Sequence, residues 1–261
     1  MLRYFDICVN IDSPQFQEDA AEVISAAQAI GVHHIALTGS SIESTKVAIR
    51  MAHQHKGCIA TCGIHPHDAK NYSVEAKNTL YELSEDTKVR AIGECGLDYN
   101  RMYSTKEDQI ICFEGQLELA KRRSLPVFLH ERDAHLDFLD IIRQHPGKGV
   151  VHCFTGGPSQ AKAYLDCGLF IGVTGWVCDE RRNQDLLEAL KVIPLERLMI
   201  ETDAPWLTPR TYRPRPKKNR NTPALLPHIA EFLSIRMRTP LEELVHQTTQ
   251  NALSFFGQSP E

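Results

Sequence analysis

The chain has 261 residues, 42% of them hydrophobic, and a formal net charge of −4. That length accommodates one large α/β domain or two small ones. The acidic balance excludes a protein that coats nucleic acid through bulk charge, and apolar runs far shorter than a spanning helix exclude a membrane-spanning protein.

The first residues, MLRYFD, run straight into a strand-like segment with no charged region and apolar stretch ahead of them. No secretory signal is therefore expected, and a cytoplasmic location is. Eight cysteines stand at 8, 58, 62, 95, 112, 153, 167 and 178 without a C-x-x-C pair. That spacing indicates neither a zinc ribbon nor a thioredoxin-like motif, and predicts reduced thiols used as small core residues.

Short apolar runs alternate with helical patterns along the whole chain. The first run is 4–10 (YFDICVN), followed by a helix with Phe16, Ala20, Val23, Ala27 and Ile30 on one face, stopped by Gly31. The second run is 34–39 (HIALTG), and a helix near 43–54 leads to the third, 58–65 (CIATCGIH). A helix around 74–85 precedes the fourth run, 89–94, and a strong helical pattern covers 107–123. The fifth run is 126–130 (PVFLH), with a helix over 133–144, and the sixth is 149–152 (GVVH), with a helix near 159–166. The seventh run is 169–175 (LFIGVTG), with a helix over 183–192, and the eighth is 197–203 (RLMIETD). Helical patterns at 225–236 and 241–256 close the chain. Eight strand–helix units in about 250 residues predict a (β/α)8 TIM barrel, one domain over 1–261, with a doubly wound open sheet as the competing fold.

The strand ends carry the chemistry. Strand 1 presents Cys8 and Asn10, strand 3 His65 and His67, and strand 4 Glu94. Strand 5 presents His130 with Arg132 and Asp133, strand 6 His152, and strand 8 Asp203. A barrel builds its active site on that rim. Singly, each has a structural explanation: a hydrogen-bonded core histidine, a buried ion pair for Glu94, a turn opened by Asp203. Jointly, two imidazoles and two carboxylates at the same end of strands 4, 5, 6 and 8 point to a divalent metal held by Glu94, His130, His152 and Asp203. Gly93 and Gly96, flanking Glu94, are expected to leave room there for ions and a phosphate. Residues 210–220 (RTYRPRPKKNR) hold six cations in eleven positions with no acid among them. This loop follows strand 8 and is expected to track a polyanion.

The blocks GIHPH (63–67), AIGECGLDY (91–99), PVFLHERDA (126–134), VVHCFTG (150–156) and LMIETDAPWL (198–207) resemble those of the TatD-type metal-dependent deoxyribonucleases of the amidohydrolase superfamily. The segment GVTGWVCDERR (172–182) is similar to the branch that gives that family its name. The resemblance spans nearly the whole chain. It implies a barrel that hydrolyses DNA phosphodiesters as a 3′-to-5′ exonuclease preferring single strands, with RNA as a further substrate and a role in DNA repair or degradation. It also implies that Glu94 bridges metals, that His130 and His152 complete one of them, and that Asp203 is a ligand or the base for the attacking water. His65 is implied to contact the scissile phosphate. Catalysis is thus expected from Asp203, His65 and Glu94, and substrate binding from His65, Arg132, Lys217, Lys218 and Arg220. Arg132 is equally readable as an ion-pair partner of Glu131 or Asp133. Tyr99, Tyr103, Trp176 and Trp206 are candidates for stacking on unpaired bases.

The family implies magnesium, whereas imidazole ligands favour zinc or manganese; a weakly held, exchangeable ion reconciles the two. The chain departs from the family at strand 1, where Cys8-Val9-Asn10 replaces His-x-His. A monomer acting on DNA without a membrane is expected. The alternative is another metal-dependent hydrolase on the same scaffold, such as a deacylase or phosphoesterase.

Overall fold

Strands buried on both faces need near-continuous apolar runs, and the eight runs of this chain form such strands. A computed structural model describes residues 2–259; Met1, Pro260 and Glu261 of the expected 1–261 domain lie outside the described residues. The strands are β1 (Tyr4–Val9), β2 (Val32–Leu37), β3 (Cys58–Cys62), β4 (Val89–Asp98), β5 (Val127–Arg132), β6 (Gly149–Val151), β7 (Phe170–Val173) and β8 (Leu198–Ile200). They form one sheet in chain order, each parallel to the next. The ends meet through a bridge between Val9 and Ala204. Asn10 N–H donates to the Ala204 carbonyl at 2.8 Å, and Asp203 N–H to the Cys8 carbonyl at 3.0 Å. The result is the expected eight-stranded parallel barrel.

The helices between strands are α1 (Ala20–Ala29), α2 (Ile42–Gln54), α3 (Val74–Leu83), α4 (Lys106–Arg123), α5 (His135–Gln144), α6 (Pro158–Asp166) and α7 (Gln184–Ala189). Two more, α8 (Leu226–Met237) and α9 (Leu241–Phe255), end the chain. Inward-facing Phe5, Ile7, Ile59 and Phe128 pack with Leu253, Phe255 and Phe256, and Phe5 stacks on Phe256 at 5.3 Å. Arg90 and Lys148, which stand at the starts of β4 and β6, donate to the Phe256 and Ser254 carbonyls. The C-terminal helix therefore plugs the end of the barrel where the strands begin, leaving their C-terminal ends for the site. All eight cysteines are free, six of them buried. Among the described residues no helix is long and apolar enough to cross a membrane.

Several boundaries differ from the sequence expectation by a few residues, β3 and β8 ending at Cys62 and Ile200; two differences matter most. The helix expected from Phe16 starts at Ala20, because Asp12-Ser13-Pro14 folds into turns, with Phe16 N–H donating to the Ser13 carbonyl at 2.8 Å. The second difference shapes the site. Strand β4 runs on past Glu94 to Asp98, with a register shift against β5 between Ile92 and Cys95. Before the shift Ala91 packs inside the barrel and Ile92 outside; beyond it Cys95 and Leu97 join the outer core. An irregularity of this kind re-aims side chains, and here Glu94 and Asp98 both enter the site.

The glycines beside Glu94 serve β5. Gly93 and Gly96 have φ of +129° and +145°, and a β-carbon on either would collide with the Phe128 or His130 carbonyl oxygen. This corrects the expectation that they make space for ions and a phosphate: the close neighbour is backbone. Gly96→Ala should cost roughly 1–3 kcal/mol in strain alone, with the collision added. Gly147, which has nothing within 4 Å of its would-be β-carbon, should accept alanine within about 0.5 kcal/mol. Thermal or urea unfolding of the two variants checks this.

Candidate active site

Glu94 is 6% exposed, and a carboxylate that deep needs partners. Its Oε1 meets three imidazole nitrogens: His152 Nε2 at 2.8 Å, His130 Nδ1 at 3.1 Å and His65 Nε2 at 3.3 Å. The C-terminal halves of β4 and β5 supply Glu94 and His130, and the residues just past β3 and β6 supply His65 and His152. The rings pack closely, with the centroids of His65 and His130 4.4 Å apart at 67°.

The local chain fixes several ring orientations. His65 caps the 3-10 turn Pro66–Asn71, its Nδ1 accepting the His67 N–H at 3.0 Å. That acceptor role leaves the proton of a neutral His65 on Nε2, facing Glu94. Asp98 Oδ2 contacts His67 Nε2 at 2.9 Å and His130 Nε2 at 3.2 Å. The other nitrogen of His152 faces Glu201 Oε2 at 3.5 Å, and Glu201 Oε1 accepts the Cys153 N–H. Each of His130 and His152 thus lies between two carboxylates, with Asp98 and Glu201 as the outer members.

Charge coupling follows the geometry. Burial alone would raise Glu94, but His65 and His152 hold it well below the usual carboxylate range. Burial likewise opposes the charged form of His152, yet Glu94 and Glu201 raise it well above an ordinary histidine. His130 is raised too, by Asp98 and Glu94 against its burial. Burial lowers His65, partly offset by Glu94.

Asp203 stands across the barrel mouth. Its Oδ1 accepts from Asn10 Nδ2 at 2.9 Å and faces Cys8 Sγ at 3.5 Å. Burial pushes its carboxyl up to about 7; His152 opposes this, and the charges of Glu94 and Glu201 add to it. Just below, buried Asp6 accepts from Thr202 N–H at 2.9 Å and from the Thr202 hydroxyl, fixing the backbone that delivers Asp203.

The donor set fits a divalent cation. One carboxylate oxygen has two in-plane lone pairs, and three ring nitrogens converge on this one. A cation that takes imidazole and carboxylate lone pairs suits two or three of these residues better than protons do. His65, Glu94 and His130 place ligand atoms within 4.8 Å of one another, and His152 adjoins them through Glu94.

The rim residues divide. The Arg132 guanidinium lies over the Trp176 ring at 5.2 Å and donates to Thr155 at 3.5 Å. Glu131 instead accepts from Ala134 N–H and Tyr164 OH, and Asp133 from Asn100, so neither carboxylate claims Arg132. Arg220 is committed elsewhere: it pairs with Asp19 at 2.7 Å, donates to the Gln15 carbonyl and lies 5.3 Å over Phe16. Arg210 pairs with Asp179 and Glu180. Acids distant in sequence therefore neutralise part of a loop that holds none itself. Lys217 and Lys218 pair with no acid among the described residues and line an open cleft with Asp19 and Arg220. None of these three loop residues touches the His–Glu cluster. Of the aromatic candidates, Tyr103 (56%) and Trp206 (54%) are exposed. Tyr103 meets His67 edge-on at 4.8 Å, while Tyr99 is tied to Asp137.

Asp98 and Glu201 are the residues that strand-end reasoning misses. Both sit inside the blocks AIGECGLDY and LMIETDAPWL, and each shares parity with a named site residue, Asp98 with Glu94 and Glu201 with Asp203. Extending the fourth run across its block would have found Asp98; Glu201 already lay inside the eighth run, two residues before Asp203.

A family model described as "TatD related DNase" matches residues 5–257. A protein of Klebsiella pneumoniae named "3'-5' ssDNA/RNA exonuclease TatD" is 48% identical over 257 residues, 97% of each chain. A protein of that name from Erwinia amylovora is 45% identical over 257 residues, covering 97% of this chain and 99% of its own. Among solved structures, a hydrolase TatD family protein from Entamoeba histolytica superposes with a TM-score of 0.89 at 28% identity, covering 99% and 100%. The YjjV TatD homolog of Escherichia coli gives 0.90 at 27%, covering 99% of both chains.

Asp98→Asn removes the carboxylate behind His130 while keeping its size. It should weaken binding of added Mn2+ by roughly 10–100-fold, the usual effect of losing a group that orients a ligand; calorimetric titration of chelator-treated protein measures it.

Proposed function

The chain belongs to the TatD-related DNase family, and on that footing we propose a divalent-metal-dependent exonuclease that degrades single-stranded DNA from its 3′ end, with RNA as a second substrate. The observation that carries this proposal is the buried Glu94 carboxylate ringed by His65, His130 and His152 at the C-terminal mouth of the barrel. Glu94, His130 and His152 would hold the ion, with Asp203 completing the set. The two imidazoles favour manganese or zinc and the two carboxylates favour magnesium, so the site suits an exchangeable ion, with magnesium the cellular choice. We take the whole chain as one catalytic domain, acting as a cytoplasmic monomer in DNA repair or turnover.

A bound divalent ion would supply Lewis acidity at the phosphoryl group and a more acidic water. The remaining work falls to side chains. Asp203, raised by burial to about 7, can accept a proton from water near neutral pH. Asn10 occupies its Oδ1, which leaves Oδ2 for that proton. His65 offers an Nε2–H donor, with its tautomer set by the His67 amide. Arg132, backed by Trp176, presents charge to non-bridging oxygens. Tyr103 and Trp206 offer exposed rings to unpaired bases. Lys217 and Lys218 supply phosphate contacts on the basic loop, while Arg220 anchors that loop to Asp19.

End-labelled single-stranded DNA with added magnesium, its products resolved by length and end chemistry, tests the proposal. Glu94→Ala should lose several kcal/mol of catalysis, on the order of 10³-fold or more, and exhaustive chelation should match it. Asn10→Ala, which only loosens Asp203, should cost about 10–100-fold. Cleavage that survives both Glu94→Ala and chelation would reject metal catalysis.

The loop gives a separate expectation. Replacing Lys217 and Lys218 with alanine should flatten the slope of log affinity against log salt by ~1.4 for a single-stranded oligonucleotide, two contacts at ~0.7 each. An unchanged slope would place the strand elsewhere.

A further inference from the structure

His152 separates two groups of ligand-type side chains. On its Nε2 side stands Glu94. On its Nδ1 side stands Glu201, and Cys8 of β1 joins them. The Cys8 sulfur, a His152 ring nitrogen and a Glu201 carboxylate oxygen lie within 4.8 Å of one another. All three residues are buried, at 0%, 3% and 0% exposure. His152 Nδ1 and Glu201 Oε2 meet only each other, as a long ion pair at 3.5 Å with no hydrogen bond to any other group. A pair this deep and this long leaves both atoms short of a close partner, which a cation between them would supply. Asp203 Oδ1 is 3.5 Å from the sulfur, within reach as a fourth donor.

We propose that Cys8, His152 and Glu201 form a second cation site, deeper in the barrel and selective for a thiophilic divalent ion of the zinc type. One sulfur, one imidazole nitrogen and one or two carboxylate oxygens make a zinc-type donor set, and a thiolate discriminates against magnesium. On binding, the Cys8 S–H bond breaks, an S–metal bond forms and the proton leaves to solvent. His152 binds through a lone pair, so any proton on that nitrogen leaves as well. No oxidation state changes. A neutral imidazole has a single lone pair. His152 therefore serves one ion at a time, and filling the inner site withdraws it from the Glu94 position. The inner site rests on the geometry of these three side chains and is independent of the nuclease assignment.

Cobalt(II) reports thiolate ligation by a sulfur-to-metal charge-transfer band in the near ultraviolet, with no activity readout. Chelator-treated, reduced full-length protein is titrated with Co2+ alone. Wild type and Cys153→Ser should both show the band at one equivalent. Cys8→Ser, which keeps the size of the side chain, should lose it and bind that equivalent on the order of 10²-fold more weakly. Glu201→Gln retains the thiol and should keep a weaker band, which guards against a folding defect in Cys8→Ser; circular dichroism checks both variants. A band that persists in Cys8→Ser, or wild-type Co2+ binding with no band, overturns the proposal.

Discussion

The contact of three imidazole nitrogens with one carboxylate oxygen of Glu94 is the interaction around which the molecule is arranged. A buried carboxylate costs several kcal/mol unless it is paired, and here the partners come from three other strand ends. That convergence requires parallel strands whose C-termini meet at one mouth, which the barrel provides. It also requires β4 to break its own alternation, so that Glu94 and Asp98 both join the cluster while Cys95 and Leu97 face the outer helices. Gly93 and Gly96 make that path possible, since β5 carbonyls fill the space where their side chains would lie.

The outer carboxylates give the cluster its order. Asp98 backs His130 and Glu201 backs His152, so each ring is held from both sides. Such groups set ring orientation and ligand basicity. The end of β1, Cys8-Val9-Asn10, gives Asp203 its Asn10 partner. It also puts a thiol beside buried carboxylates, giving the barrel interior a soft donor that imidazoles would not supply.

Much of this was legible in the sequence because a parallel barrel writes itself plainly. Apolar runs at regular spacing gave the strands, and a polar residue ending an apolar run marked Glu94, His130 and His152. What the sequence concealed depended on three-dimensional pairing. The register shift in β4 breaks the two-residue period that pattern reasoning follows, so the strand looked finished at Glu94 and Asp98 went unassigned. The glycines looked like room for a ligand, because the approach of β5 is a long-range fact. The loop at 210–220 looked uniformly cationic, because the acids that pair with Arg210 and Arg220 lie at 179, 180 and 19. Phe16 looked helical by spacing, but Pro14 and the turn at Ser13 hold it below the helix start, where it supports Arg220.

The central claim is that the imidazole-ringed Glu94 is the seat of a divalent ion. Anomalous scattering from crystals of the full-length protein grown with Mn2+ tests it most directly. The account predicts a strong manganese peak bonded to Glu94, His130 and His152. A preparation that degrades single-stranded DNA with manganese, yet shows no peak there or a peak only elsewhere, would contradict it.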